Sequence, residues 1–140
     1  MKECVVVVTE VRYLALYLDE PMFRGVDAEL SEQGFTLHKF DFNKSIAIAN
    51  SQAEKLRPRR TGDQLIDGDA VYIRDLKGIR GWTDFQVFSL AAFAGTVFGS
   101  NSLALHCLDE LVRRDVVPAD TPARYVPLLP EDQVRREYGP

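Results

Sequence analysis

The sequence is short of the residues that mark several functional classes. Its two cysteines, Cys4 and Cys107, sit in apolar contexts with no CxxC spacing. Buried thiols in a reducing compartment explain them better than a disulfide does. Its two histidines, His38 and His106, show no ligand spacing to cysteines or carboxylates, so a metal site has no support and no cofactor is expected. Positive charge is scarce as well: 17 Lys and Arg face 21 Asp and Glu, a net charge of -4. That balance argues against generic nucleic-acid binding, which needs a basic surface. The one basic cluster, Lys55, Arg57, Arg59 and Arg60, reads as a solvated loop. Long apolar runs are missing too. The apolar helix expected after Thr83 holds about a dozen residues against the ~20 needed to span a bilayer. The opening MKECVVVV is too short for a signal peptide. Repeats and low-complexity tracts are absent. These absences lead us to expect a cytoplasmic protein that contacts neither membrane nor nucleic acid.

What remains is an ordinary globular composition, 46% hydrophobic over 140 residues, enough for one core. Cys4 to Val8 is a continuous β-branched run, the mark of a strand buried on both faces in a parallel sheet. RYLALYL, from Arg12 to Leu18, reads as helical, with Pro21 marking a kink or a split. MFRGVDAELSEQ continues the helical pattern and stops at Gly34, a residue suited to a left-handed C′ position. FTLHKFDF (35–42) has strand composition; a partly exposed strand histidine is the commoner role for His38, a catalytic base the rarer one. Ser45 looks like the N-cap of IAIANSQAEKL, a helix stopped by Arg57-Pro58. Thr61 and Gln64 have capping-box spacing ahead of a turn at Asp67-Gly68-Asp69.

The stretch 69–101 then gives a strand (AVYIR, 70–74), a glycine-bearing turn, a helix opening on Thr83, and a short strand at 96–98. SLALHCLDELVRRD (102–115) is amphipathic, and its terminal arginines suit the helix dipole. Past Val117 come Pro118, Pro122, Pro127 and Pro130, with a short extended piece (RYVPLL) and a last helix (EDQVRREY). Strands alternating with helices predict an α/β fold: a small Rossmann-like parallel sheet of four to five strands flanked by helices. The expected organisation is a domain at 1–117 and an irregular, proline-rich C-terminal arm at 118–140, packed on that domain or on a partner subunit.

In such sheets ligands bind where strands end and helices begin. Gly78 and Gly81 loosen the backbone just before Thr83, and the free N–H groups of the helix point back at that turn. The arrangement is competent to hold a phosphate or carboxylate. It is equally a plain capping box, Thr83-x-x-Gln86, in which the glycines only serve a tight turn and Trp82 only packs.

These residues resemble the nucleoside 2-deoxyribosyltransferase family and its small relatives that hydrolyse nucleotide N-glycosidic bonds. In that family a strand ADAVYVVN precedes a turn GYIGxxT and a helix xxEMGxAxALGKPV. Here DAVYI precedes Gly78-Ile79-Arg80-Gly81-Trp82-Thr83, then Asp84 to Phe88, then Ala94-Gly95-Thr96-Val97, without gaps. Val5 to Val8, Val11-Arg12-Tyr13 and Leu30 to Phe35 match the family's opening loosely, so the resemblance covers about two-thirds of the chain. It implies a nucleoside or nucleotide ligand held by Arg12, Tyr13, Gly78, Gly81, Trp82 and Thr83. The family's nucleophilic glutamate, however, falls on Gln86, and its small glycine on Phe88. A neutral amide neither attacks an anomeric carbon nor stabilises oxocarbenium charge as a carboxylate does.

Three readings follow. The first is a nucleoside- or nucleotide-binding protein with a degenerate site, a pseudoenzyme. The second is an active N-glycoside hydrolase or transferase that uses another carboxylate in place of the one lost at Gln86, either Glu10 or Asp75, each at a predicted C-terminal strand end. The third is a non-catalytic interaction protein, since the helix from Phe85 to Ala94 is apolar on nearly every side and so belongs in a core or across an oligomer interface. A homo-oligomer is expected from the same surface.

Overall fold

The computed structural model describes residues 3–15, 21–135 and 137. It divides the chain into two compact units, Met1–Asp75 and Leu76–Pro140.

The first unit is a three-stranded sheet with one helix. Strands β1 (Val6–Arg12), β2 (Phe35–Ile46) and β3 (Gln64–Arg74) lie in the order β1-β3-β2, and both pairings are antiparallel. The expected parallel Rossmann-like sheet of four to five strands is therefore not the fold. Its error has a clear physical source. A parallel pair needs a crossover, usually a helix, and the β2–β3 connection carries only a three-residue 3-10 turn, Ala53–Lys55. It returns as a long hairpin instead. One crossover does exist: helix α1 (Phe23–Glu32) joins β1 to β2, which run the same way because each is antiparallel to β3. The third strand has slipped in between them.

Position in the sheet decides which strand is buried. The β-branched run at β1 suggested burial on both faces, yet β1 is an edge strand and Val8 is 53% exposed. The doubly buried strand is central β3, where consecutive residues Ala70, Val71, Tyr72 and Ile73 are all buried. One sheet face and α1 enclose a core of Val11, Leu30, Phe35, Ala70 and Tyr72, with Tyr13, Phe23 and Phe40 packed against it. Those three rings lie 5.6 to 5.8 Å apart, centroid to centroid. Helix α1 ends as its sequence implies, with Gly34 at φ 81°.

Other local expectations fail for identifiable reasons. The strand reading of β1 extends through Arg12, where a helix was expected to begin, and 16–20 lies outside the described residues. Ser45 caps no helix because it pairs with Leu65 as β2 runs on to Ile46. Asn50 then organises a turn: its Oδ1 accepts from the Gln52 N–H at 2.9 Å and its Nδ2 donates to the Ile48 carbonyl at 3.0 Å. Such local side-chain bonds compete with a helix. Gln64 opens β3 instead of a helical turn, and Gly68 lies within that strand. Its glycine is needed because a Cβ there would collide with the Phe42 carbonyl oxygen and the Asn43 side-chain oxygen.

The second unit is helical. A 3-10 segment, Leu76–Gly81, leads to α2 (Asp84–Thr96), α3 (Asn101–Arg113) and α4 (Thr121–Tyr125). No strand forms at 96–98. The Thr96 hydroxyl bonds back to the Ala92 carbonyl at 2.7 Å, and the Val97 and Phe98 amides both donate to the Phe93 carbonyl. Gly99, at φ 58°, then turns the chain toward α3. The β-branched letters are consumed by a helix end. Helices α2 and α3 pack through Val87, Leu90, Ala94, Leu103, Cys107 and Leu111, all buried. The extended piece expected at 124–129 is instead the end of α4 followed by a 3-10 turn, Val126–Leu128; where a last helix was expected at 131–138, the described residues form a 3-10 turn, Glu131–Gln133, and 136 and 138 lie outside them. Asn101 ties this segment down, accepting from the Tyr125 hydroxyl at 2.8 Å and donating to the Gln133 side-chain oxygen at 2.7 Å.

Candidate functional site

The turn before α2 is built as a capping box, as Thr83-x-x-Gln86 predicts. The Gln86 amide donates to Thr83 Oγ1 at 3.2 Å and the Thr83 amide donates to Gln86 Oε1 at 2.9 Å. Two donors that α2 would otherwise leave unpaired are thus satisfied by side chains. Gln86 is buried while it does this, so the residue at the family's nucleophile position is engaged in holding the helix end. Trp82 is buried too, with its indole Nε1 3.6 Å from where a Cβ on Gly78 would stand. A Cβ on Gly81 would meet nothing within 4 Å, so that side of the turn is open.

What fixes the turn in place is Arg114, the residue after α3. Its guanidinium donates to the Ile79 and Trp82 carbonyls, each at 2.7 Å, and to Asp84 Oδ1 at 3.0 Å. Its Nε bonds Glu110 Oε1 at 2.8 Å, and Glu110 also takes two bonds from Arg113, at 2.7 and 2.8 Å. One planar fork therefore closes four acceptors from three segments of unit 2. Glu110 is buried, yet hydrogen bonds from Arg113, with those from Arg114, outweigh burial and hold its carboxyl down at about 2. Their place at the end of an amphipathic helix implies only a helix-dipole role for these arginines. The i, i+3 and i, i+4 spacing of Glu110 to Arg113 and Arg114 was the available signal; the carbonyls that Arg114 reaches are 32 and 35 residues earlier and leave no local trace.

The other proposed site residues belong to the first unit. Glu10 stands mid-strand in β1, exposed, with its carboxylate 2.6 Å from Arg12 Nη2. Arg12 Nη1 lies 3.7 Å from Asp67 Oδ2. Tyr13 packs against Phe23 and Phe40 and donates to Asn43 Oδ1 at 2.6 Å; burial, then the Asp67 charge, raises its pKa. Asp75 follows β3, with its amide on the Gly34 carbonyl at 2.9 Å, and lines a cavity of about 470 Å³ with Asp27, Ser31 and Thr36. Glu10 pairs across the sheet with Asp69, six residues before Asp75 along β3. At about 3.4 Å per strand residue that puts Glu10 on the order of 20 Å from Asp75. Two carboxylates that share a glycosidic bond stand roughly 5 to 10 Å apart. The two are therefore candidates one at a time and not as a pair.

His38 falls at a register shift of β2, and burial followed by the Lys39 charge lowers its pKa. Burial pushes the Cys107 thiol up to about 12, which makes it an inert packing group. Among the described residues no three His, Cys, Asp or Glu side chains converge as a metal-ligand set, and no helix is long and apolar enough to cross a membrane.

The surface that stands out is on α2. The expectation of burial all round is met on one side only. Phe85, Phe93 and Val97 are 78%, 48% and 61% exposed, and Phe88 is exposed as well. A scan against protein-family models, a search of curated proteins and a search of solved structures each return no match to this chain.

Proposed function

We propose that this chain is a non-catalytic interaction protein that assembles with a second copy of itself through the outward side of α2. The observation that carries this reading is a row of residues at i, i+4 spacing, Phe85, Ser89, Phe93 and Val97, whose apolar members are exposed. Exposed contiguous apolar surface of this kind marks interaction sites. Rows spaced by four interdigitate with the same rows of another helix, at crossing angles near about −50°. A surface complementary to itself closes as a two-fold dimer. The non-catalytic half of the reading draws on Gln86, neutral and spent on its capping box. Static light scattering tests it. The wild-type chain should give a dimer mass and Phe93→Glu a monomer mass; a wild-type monomer at every concentration would overturn it.

The resemblance to nucleoside 2-deoxyribosyltransferases supports a second reading, a nucleoside or nucleotide held at the turn. The open side of Gly81, next to the capped start of α2, is the feature in its favour. Mass action would then raise the melting temperature as ligand is added. A panel of nucleosides and nucleoside monophosphates with no shift up to millimolar concentration removes this reading and leaves the first untouched.

A further inference from the structure

We propose that the second unit carries a binding groove for a single-chain aliphatic carboxylate, with Arg124 taking the carboxylate head. The groove has a volume of about 760 Å³ and runs between α2, α3 and α4. Its floor is made of small residues, Ala91, Gly95 and Ala104, and its walls of Phe88, Leu108 and Leu128. Small side chains where helices meet leave depth that larger ones would fill. Volumes of 300 to 1,000 Å³, mostly apolar with few polar groups, are typical of small-molecule sites.

The depth is actively maintained. A Cβ on Gly95 would come within 2.5 Å of the Tyr125 hydroxyl, so only glycine lets the Tyr125 ring lie this close to α2. The hydroxyl is held by its bond to Asn101 Oδ1, which fixes the ring as part of the wall. Phe88 and Leu128 remain exposed at the rim, where a bound chain would cover them.

Charge selects the kind of ligand. Among the described residues, Arg124 is the only ionisable side chain lining the groove apart from the Tyr125 phenol, and no carboxylate lines it, in a chain whose net charge is -4. None of the ion pairs or side-chain hydrogen bonds among the described residues uses the Arg124 guanidinium. A planar, permanently charged fork on the lining of an apolar trough matches a carboxylate bidentately, while the trough takes the hydrocarbon. From Phe88 to Thr96 the groove follows eight residues of helix, about 12 Å, comparable with an extended ten-carbon chain. Decanoate is accordingly the probe of choice. The inference does not rest on self-assembly: the groove adjoins the row from Phe85 to Val97, but binding of one ligand per chain is read by calorimetry and assembly by mass.

Isothermal titration calorimetry on the full chain, below the micelle concentration, tests the proposal with decanoate, decanol and decyltrimethylammonium. Decanoate should saturate at one per chain and decanol should bind more weakly. Arg124→Gln should weaken decanoate by about tenfold or more, the scale of a lost charge-assisted bond, and leave decanol unchanged. Ala92 is exposed on the groove's edge, so Ala92→Trp should keep the wild-type melting temperature while abolishing both. Absence of saturable decanoate binding, equal binding of the ammonium probe, or full binding by Ala92→Trp would each overturn the proposal. So would binding seen only with anionic phospholipid vesicles.

Discussion

The two units use the same residue type in opposite ways. In the first, Phe23 and Phe40 arrive from different elements, α1 and β2, and meet Tyr13 within 6 Å on one sheet face. In the second, Phe85, Phe88 and Phe93 all sit on α2, and every one of them is exposed. A helix packed on one neighbour can bury only one stripe. Val87, Leu90, Ala91 and Ala94 occupy that stripe in α2, so its phenylalanines have nowhere inside to go. Aromatics spread over several elements build a core, whereas aromatics stacked on one helix build a surface. Tyr13, Phe23 and Phe40 therefore report on stability, and the exposed phenylalanines of α2 on the proposed self-association; rings elsewhere follow their own elements, Phe98 being buried in the second unit and Phe42 exposed in the first.

The largest test of that contrast is Phe35→Ala in the first unit. Phe35 is 2% exposed, sits in the core against Tyr72 and Leu30, and has the Arg74 guanidinium over its ring at 5.0 Å. Removing a buried phenylalanine ring leaves a cavity and costs about 3 to 5 kcal/mol. Urea unfolding should show a midpoint lowered accordingly. A loss as small as that of a surface substitution would mean that this sheet face is not the core.

Next in size is the polar centre of the second unit. Glu110→Gln removes the carboxylate from Arg113 and Arg114 and should cost about 2 kcal/mol, in the range for lost bonds to charged groups. It also carries a pH signature. The Glu110 carboxyl has its ordinary value near 4.5 when unfolded and is held at about 2 when folded. The folded state thus binds fewer protons between these values, and stability must fall as pH falls. Glu110's contribution is complete above about 4.5 and is lost as pH drops through about 2. Acid unfolding of Glu110→Gln should be flatter over that window than that of the wild type. Parallel curves would place the acid sensitivity in other carboxylates.

These two units also differ in how much of them can be read from sequence. Signals carried by a few adjacent residues are legible: Gly34 ending α1, and Thr83 with Gln86 opening α2. Signals that depend on a distant chain are not. Alternation of strands and helices gives β1–α1–β2 correctly but is silent on β3 returning between them, which reverses the sheet from parallel to antiparallel. Gly68 looks like a turn glycine because the reason for it, the Phe42 backbone, lies on another strand. Helix α2 is apolar on nearly every side, so its sequence carries little information about which side faces in. The candidate site inherits that limit. Its capping box was readable, whereas the Arg114 clamp and the groove beside Tyr125 are made by contacts more than twenty residues apart.

The smallest expected effect on stability is the most informative about function. Phe85→Ser replaces a ring that is 78% exposed in the first turn of α2. Since little of that ring leaves water when the chain folds, the monomer should change by no more than about 0.5 kcal/mol. Serine in the first turn also keeps the helix start polar and leaves the Thr83 and Gln86 bonds intact. If the row from Phe85 to Val97 is a docking surface, the same change should lower the assembled fraction measured by light scattering while the urea midpoint at low concentration stays put. An unfolding cost of several kcal/mol would instead make Phe85 a core residue. The difference between the two units would then be one of degree and not of kind.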